Sequence, residues 1–429
     1  MKKGTAASEQ SAGQQGSSLS GRSVLFLQGL ATPFFGAFAA RLAGLGAQIH
    51  RVHYCGADWA FRGEAHARIS HHAFSGRLDD LPAFYENLIH DHAIDTIILF
   101  GDCRPVHEMV RGLADKHGIT LYAMDEGYIR PGYITMEASG TNGYSRMPKD
   151  GATLQALAKA APALAPYTPI ATDMGRRVRM DIWGHAANIW YRLKFPFYKG
   201  HRPAPVWQEA LGWIKRGINA AFHGRANRRL INAFEKPVSD YFLVPLQLNS
   251  DYQIRLHSRF SGMPEFIREV MTSFAEHAPS GSRLFFKNHP LDNGIINYRK
   301  LISTQAKRLG ITGRVCFGWG GDLNWFLKHT KGVVLVNSTV GLAALRAGAP
   351  LKALGTAIYN LDGLTDQGVL DAFWQNPGPP QQRLAEEFLT VVETYTQVRG
   401  DLFSEAGIAH AAEEAAKVIT GQLPRLPNA

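Results

Sequence analysis

Several stretches place ionisable or hydroxyl-bearing side chains directly after an apolar run. In YFLVPLQLNSDYQIR (residues 241–255), eight largely apolar residues give way to Asn249, Ser250 and Asp251. A carboxylate at that point either caps the following helix or attacks an electrophile. In AMDEGYIRPGYITMEASGTNGYS, Asp125 and Glu126 are adjacent and Arg130 lies close behind. Tandem acids often only solvate a loop, but after a buried strand Glu126 could serve as a general acid/base if its neighbours shift its pKa. FGDCRPVH adds Asp102, Arg104 and His107 at what reads as a neighbouring strand end.

Two further stretches suit an anion. In VVLVNSTVGLAAL an apolar strand stops at Asn337, Ser338 and Thr339, and an Ala/Leu-rich helix follows. Unpaired N–H groups at a helix start carry about half a positive charge, so a phosphate is welcome there; plain N-capping by Ser or Thr is the equal alternative. LFFKNHPLD sets Lys287, Asn288 and His289 at another strand end. A cation and an imidazole beside a phosphate would stabilise a nucleotide leaving group, although a lone strand-end His is more often structural.

The elements that must position these groups alternate. Strands over residues 24–27 and 49–53 flank a helix, and strands over 96–100 and 119–124 flank another, which predicts parallel strands with helices on both faces. After an Ala-rich, helical stretch beyond Pro148, alternation resumes with strands over 241–248, 283–287, 315–318, 332–337 and 351–354. Pro245 argues that the first of these is an edge or bulged strand. The reading is α/β: two Rossmann-like domains facing a cleft, the GT-B-like arrangement of many glycosyltransferases and some sugar epimerases, with ligands beyond the carboxyl ends of the strands. The expected divisions are a disordered lead-in over 1–22, an acceptor-side domain over 23–170, a basic aromatic helical segment over 171–238, a nucleotide-sugar domain over 239–380, and a helical tail over 381–429 that crosses back to brace the first domain.

The bulk numbers agree with two cores. The chain has 429 residues, 45% of them hydrophobic, long enough for two domains. No apolar run approaches the ~20 residues of a membrane-spanning helix, and no apolar stretch follows the N-terminal lysines as a secretory signal requires. Cys55, Cys103 and Cys316 follow no metal or redox spacing, which fits a reducing, cytoplasmic location. There is no Walker A loop, no G-x-G-x-x-G after the first strand, no H-E-x-x-H and no D-x-D, so neither a metal nor a cofactor is expected. His66, His71 and His72 have poor metal spacing for one helix and read as solvated surface. Net charge is +10, and residues 174–230 hold twelve Lys/Arg against two acids, Asp181 and Glu209, together with Trp183, Trp190, Trp207 and Trp213.

Several blocks together resemble the capsular polysaccharide synthesis proteins of the KpsS/LipB type: FLQG…PFF, FGDCRPVH, DEGYIRPGYITME…TNGYS, VPLQLNSD, KNHPLD and VNSTVGLAALRAGAPLKALGTAIYNLDGL…GVLDAFW, spanning about Ser23 to Trp374 in the family's order. The resemblance implies a retaining β-Kdo transferase of Gram-negative bacteria, which uses CMP-β-Kdo to place the first Kdo on lyso-phosphatidylglycerol. It puts the acid/base role on Glu126, where Asp125-Glu126-Gly127-Tyr128 is similar to the EDGF pattern of KpsC-type enzymes. The order of the acids differs, so Asp125 stays a candidate. Only Asp251 can inherit the nucleophile's role in the block from Gln247, because Ser250 stands in place of a second acid. Lys287, His289, Asn337, Ser338 and Thr339 would hold the CMP phosphate, and Asp102, Arg104, Arg130 and Gln247 would meet sugar or acceptor.

An acceptor of this kind gives the basic aromatic segment a use as a peripheral contact with the inner face of the inner membrane, preferred here over RNA. Other capsule synthesis and export proteins are possible partners. The rival readings are another GT-B-fold nucleotide-sugar transferase or epimerase, or a non-catalytic capsule assembly or export factor.

Overall fold

The computed structural model describes residues 18–200, 206–234 and 240–427. Among these residues twelve strands form two sheets: β1 (Ser23–Phe26), β2 (Gln48–His53), β3 (Ile69–Ala73), β4 (Thr96–Phe100), β5 (Thr120–Glu126), β6 (Tyr133–Ala138), β7 (Tyr241–Pro245), β8 (Arg283–Lys287), β9 (Val315–Gly318), β10 (Gly332–Leu335), β11 (Leu351–Ala353) and β12 (Gln397–Arg399). The first sheet runs β12-β6-β5-β4-β1-β2-β3, and the second β11-β10-β7-β8-β9. The second is wholly parallel; the first is parallel from β5 to β3 and gains β6 and β12 as antiparallel additions.

Helices cover both faces of each sheet, so central strands such as SVLF, TIILF and YFLVP are buried along their whole length and read as continuous apolar runs. In the first domain the helices Phe34–Gly44 and Glu405–Ile419 pack on the face carrying Val24, Phe26 and Ile49, and Leu81–Asp91 packs on the face carrying Leu25, Leu27 and Val52. In the second, Met263–His277 packs below Phe242 and Val244, where Trp374 meets Phe242 and Phe274 edge to face at 4.9 and 5.4 Å. Each such buried aromatic contributes roughly 1.5–3 kcal/mol relative to exposure.

Three expectations change. β7 is the central strand of its sheet, not an edge; Pro245 is tolerated because it is the last residue of the strand, and Leu246 N–H resumes the ladder at Lys287 O at 2.9 Å. The tail does cross back, but through a strand as well as helices: β12 pairs with β6, and Glu405–Ile419 packs on the helix Phe34–Gly44. Of the lead-in, residues 1–17 lie outside the described residues, while Leu19 is already buried and its N–H bonds Leu45 O at 2.8 Å.

Both sheets reverse strand order at their first strand. β1 pairs with β2 on one side and β4 on the other, and β7 with β8 and β10. Such switch points open a crevice beyond the strand ends. The chain leaving β1 (Leu30, Ala31, Thr32) and that leaving β7 (Gln247, Leu248 and Ser250 to Gln253) line one cavity.

Candidate active site

This cavity, about 360 Å³, lies between the two sheets' carboxyl ends. It brings together nine of the eleven residues expected from sequence: Arg104, Glu126 and Arg130 from the first domain, and Gln247, Asp251, His289, Asn337, Ser338 and Thr339 from the second. Asp102 and Lys287 stand behind its wall. Asp102 is buried and accepts from Thr141 N–H at 2.8 Å, with Arg111 at 3.6 Å, so it organises the loop that carries Cys103. Lys287 is buried at the end of β8, where Asp322 is the charge acting on it.

Asp251 is both a cap and a cavity group. Its side chain accepts from Gln253 N–H at 3.0 Å at the start of the helix Tyr252–Leu256, while its carboxyl remains in the wall. Burial raises its pKa; the Gln253 and Gln247 hydrogen bonds and Arg130 pull the other way, and Glu126 adds to the rise. The two carboxyls proposed to share the chemistry therefore feel each other's charge across the cleft.

Glu126 is in the opposite condition. Burial would raise it, but Arg130 at 3.0 Å and Arg177 at 2.7 Å outweigh that and hold the carboxyl below its usual range. Its neighbour Asp125 has no such clamp. Burial pushes Asp125 up to about 7, against hydrogen bonds from Glu126 N–H at 2.8 Å and Asn142 Nδ2 at 3.2 Å. One acid is held ionised and the next holds a proton near neutrality.

The second domain's wall is mostly neutral. Gln247 and Asn337 exchange two hydrogen bonds, Gln247 Nε2 to Asn337 Oδ1 at 3.0 Å and Asn337 N–H to Gln247 Oε1 at 3.2 Å. Asn337 Nδ2 also donates to Gln253 O at 2.9 Å, which ties the ends of β7 and β10 to the helix after Asp251. Ser338 Oγ accepts from Val340 N–H at 3.2 Å, whereas Thr339, at the N-cap position, makes no side-chain capping bond and lines the cavity. Tyr359 OH donates to Ser338 O at 2.5 Å and packs so closely on Gly341 that any Cβ there would lie 2.2 Å from its ring. His289 is kept neutral, down to about 4, by burial and then Arg130. Its Nδ1 accepts from Leu291 N–H at 3.0 Å, so a ring proton resides on Nε2.

Sequence reading did not single out Arg177, Asn142 or Gln253, all of which line the cavity. Asn142 lies within the polar-dense stretch already noted, and Gln253 two residues beyond Asp251. Gln253 Oε1 is buried with no hydrogen-bond partner among the described residues. Arg177 was one cation in a basic run, and only the packing of its helix brings it to Glu126.

A second cavity of about 410 Å³ adjoins the first and shares Arg177, Asp181, Leu248, Ser250 and Leu291 with it; Met174, Val178, Trp213, Ile295 and Ile296 give it apolar walls. It opens beside the helices Met174–Trp190 and Val206–Phe234. They expose Ile182, Trp183, Trp190, Ile214 and Phe222, and Leu193 is exposed in the turn after the first of them. No helix among the described residues is long and apolar enough to cross a membrane. Part of the second helix's N-terminal turn, with Trp207, has side chains outside the described set.

The family model for capsule polysaccharide biosynthesis proteins matches residues 95–403. The chain is 34% identical over 382 residues to the capsule polysaccharide export protein KpsS of Escherichia coli, covering 89% of this chain and 96% of that one. It is 31% identical over 399 residues to the capsule polysaccharide modification protein LipB of Neisseria meningitidis serogroup A, covering 90% and 93%. Among solved structures, the β-Kdo 2,7 transferase KpsC of Thermosulfurimonas dismutans is similar at 13% identity and a TM-score of 0.45, covering 93% of this chain and 99% of that one. The chain belongs to the capsule polysaccharide biosynthesis protein family.

Proposed function

We propose that this family member is a retaining β-Kdo glycosyltransferase that moves Kdo from CMP-β-Kdo to a lyso-phosphatidylglycerol acceptor, the first step in building a capsule linker. The observation that carries the reading is that Asp251 and Glu126, from different domains, line one cavity. Retention through two displacements needs a nucleophilic carboxylate and a group that handles a proton. In the first step the Asp251 carboxylate bonds to the anomeric carbon while the bond to the phosphate oxygen breaks, and CMP departs with the electron pair. In the second, the acceptor hydroxyl displaces the Asp251 ester and its proton passes to the Glu126 carboxylate.

Glu126 as held by two guanidiniums is a weak base. The donor's phosphate and carboxylate would compete for Arg130 and Arg177, leaving Glu126 buried without its counter-charges and so more basic. Asp125, which keeps its own proton up to about 7, adds no second negative charge beside Glu126. Ser338, Thr339 and the neutral His289 Nε2–H would meet the phosphate, and no metal or cofactor is called for. The assay is direct: purified protein, CMP-Kdo generated in situ and a fluorescent lyso-phosphatidylglycerol, followed by mass analysis. Transfer with CMP release supports the reading. Turnover only with a different nucleotide sugar would favour the other transferase or epimerase reading, and no transfer from any donor would favour the export or assembly role that one relative's name suggests.

The acceptor would approach through the second cavity, whose lining mixes apolar side chains with polar and charged ones such as Arg177 and Arg255, from a protein peripheral to the inner face of the inner membrane, without nucleic acid. Exposed indoles and Lys/Arg suit that surface. Liposome co-sedimentation should increase with anionic lipid and fall with salt, and Trp183→Ala with Trp190→Ala should weaken it several-fold. Binding indifferent to both would remove the membrane from the reading.

A further inference from the structure

The outer edge of the first sheet carries a cluster of imidazoles that the cleft does not use. β2 pairs with the edge strand β3 so that His50 lies opposite Ser70 and Val52 opposite His72. Side chains two apart share a face, so His50 and His72 project together toward the helix Leu81–Asp91, and His92 follows at that helix's end. One nitrogen from each of the three rings lies within 4.8 Å of the others. His50 Nδ1 and His72 Nε2 are 3.1 Å apart, and the His50 and His92 rings stack at 4.0 Å. The sequence reading of His71 and His72 as solvated surface on a helix is corrected here: they lie half-buried on a strand.

Among the described residues none of these three rings has a carboxylate or a carbonyl as hydrogen-bond partner; the contacts recorded for them are with one another. Two facing imidazole nitrogens need one shared proton, and a third ring adds a further lone pair with no donor. A cation answers all three at once. Ligand nitrogens at ~2.0–2.1 Å from a tetrahedral Zn²⁺ stand a little over 3 Å apart, close to the His50–His72 separation, and imidazole suits zinc, copper and nickel among the first-row ions. The opposite face of the same two strands holds a contrasting pair, His53 Nε2 and His71 Nδ1 at 2.9 Å. There His53 Nδ1 bonds Asp58 O at 3.0 Å and Arg51 is buried alongside, so that face already carries a charge and a carbonyl partner.

We propose that His50, His72 and His92 form a three-imidazole site for a divalent transition-metal ion, zinc foremost, with its remaining position open to solvent. The ion would tie the edge strand and the end of the helix Leu81–Asp91 to β2, as a structural staple remote from the cleft.

The test uses the full chain stripped with chelator and then titrated with Zn²⁺ by calorimetry, with Co²⁺ visible absorption as a spectroscopic readout of nitrogen ligation. One equivalent should bind, raising the thermal midpoint. His72→Gln and His92→Ala should each weaken binding by about tenfold or more, and His92, beyond the helix end, is replaceable without disturbing the core. His71→Ala should leave the affinity unchanged. Absence of stoichiometric Zn²⁺ binding by the wild-type chain would overturn the assignment, as would full affinity in a folded His92→Ala protein. Equal loss in His71→Ala would also overturn it, by moving the ion to the other face.

Discussion

The two rims of the cleft are built from different kinds of polar group. On the first domain's side, carboxylates and guanidiniums hold one another: Glu126 between Arg130 and Arg177, and Asp125 beside them with its proton retained to about 7. On the second domain's side, apart from Asp251, the groups are amides, hydroxyls and a neutral imidazole, with hydrogen bonds joining Gln247, Asn337 and Gln253, and Ser338 Oγ accepting from Val340 N–H. A rim of coupled charges changes state when an anion arrives, whereas an amide network keeps its shape whatever the charge. Under the proposed function, proton handling would fall to the first domain and donor placement to the second, with Asp251 the second domain's carboxylate in the shared wall among the described residues.

The sharpest way to break this division is Asp251→Asn. Asparagine caps a helix as well as aspartate does, so the helix Tyr252–Leu256 should survive while kcat falls by about a thousandfold or more. Near-normal turnover with an unchanged thermal midpoint would reduce Asp251 to a cap. Glu126→Gln should abolish transfer to a similar degree, since it removes the group both guanidiniums address.

A smaller effect is expected on the neutral rim. Asn337→Ala deletes the bridge between β7, β10 and the helix after Asp251, and should raise the donor KM by about tenfold with kcat changed less. A loss confined to kcat would put Asn337 in the chemistry and erase the contrast between the rims.

The smallest effect is on stability. Asp125 is raised to about 7 in the folded protein, whereas an unperturbed aspartate titrates near ~3.9. Between those values the folded state binds the extra proton, so this group's contribution is complete below about 4 and is lost as pH rises through about 7. Asp125→Asn keeps the bonds to Glu126 N–H and Asn142 within reach but cannot titrate. Urea denaturation at pH 5 and pH 7.5 should therefore show the variant gaining on wild type at the higher pH. A constant difference at both values would mean that Asp125 does not hold its proton.

Much of the architecture is legible in the chain. Apolar runs such as TIILF and RLFFK are continuous because both sheet faces are covered, so their positions match the strands closely. The polar groups at their ends follow from the same pattern, which is why nine of the expected residues meet in one cavity. β3, β6 and β12 escaped notice: ISHHA, YITMEA and QVR are short or mixed in character, and they become strands by pairing at an edge or returning from the far end of the chain.

By itself, the sequence determined the two alternating halves and the strand ends where chemistry could sit, because periodicity and strand-terminal polarity are local properties of the chain. Tertiary structure alone decided that Arg177 clamps Glu126 from 51 positions away and that His50 and His72, 22 positions apart, face each other. It also decided that Asp251 opens on the cavity shared with Glu126. Those pairings depend on strand register and helix docking, which are set by burial of the whole core, and no local spacing encodes them.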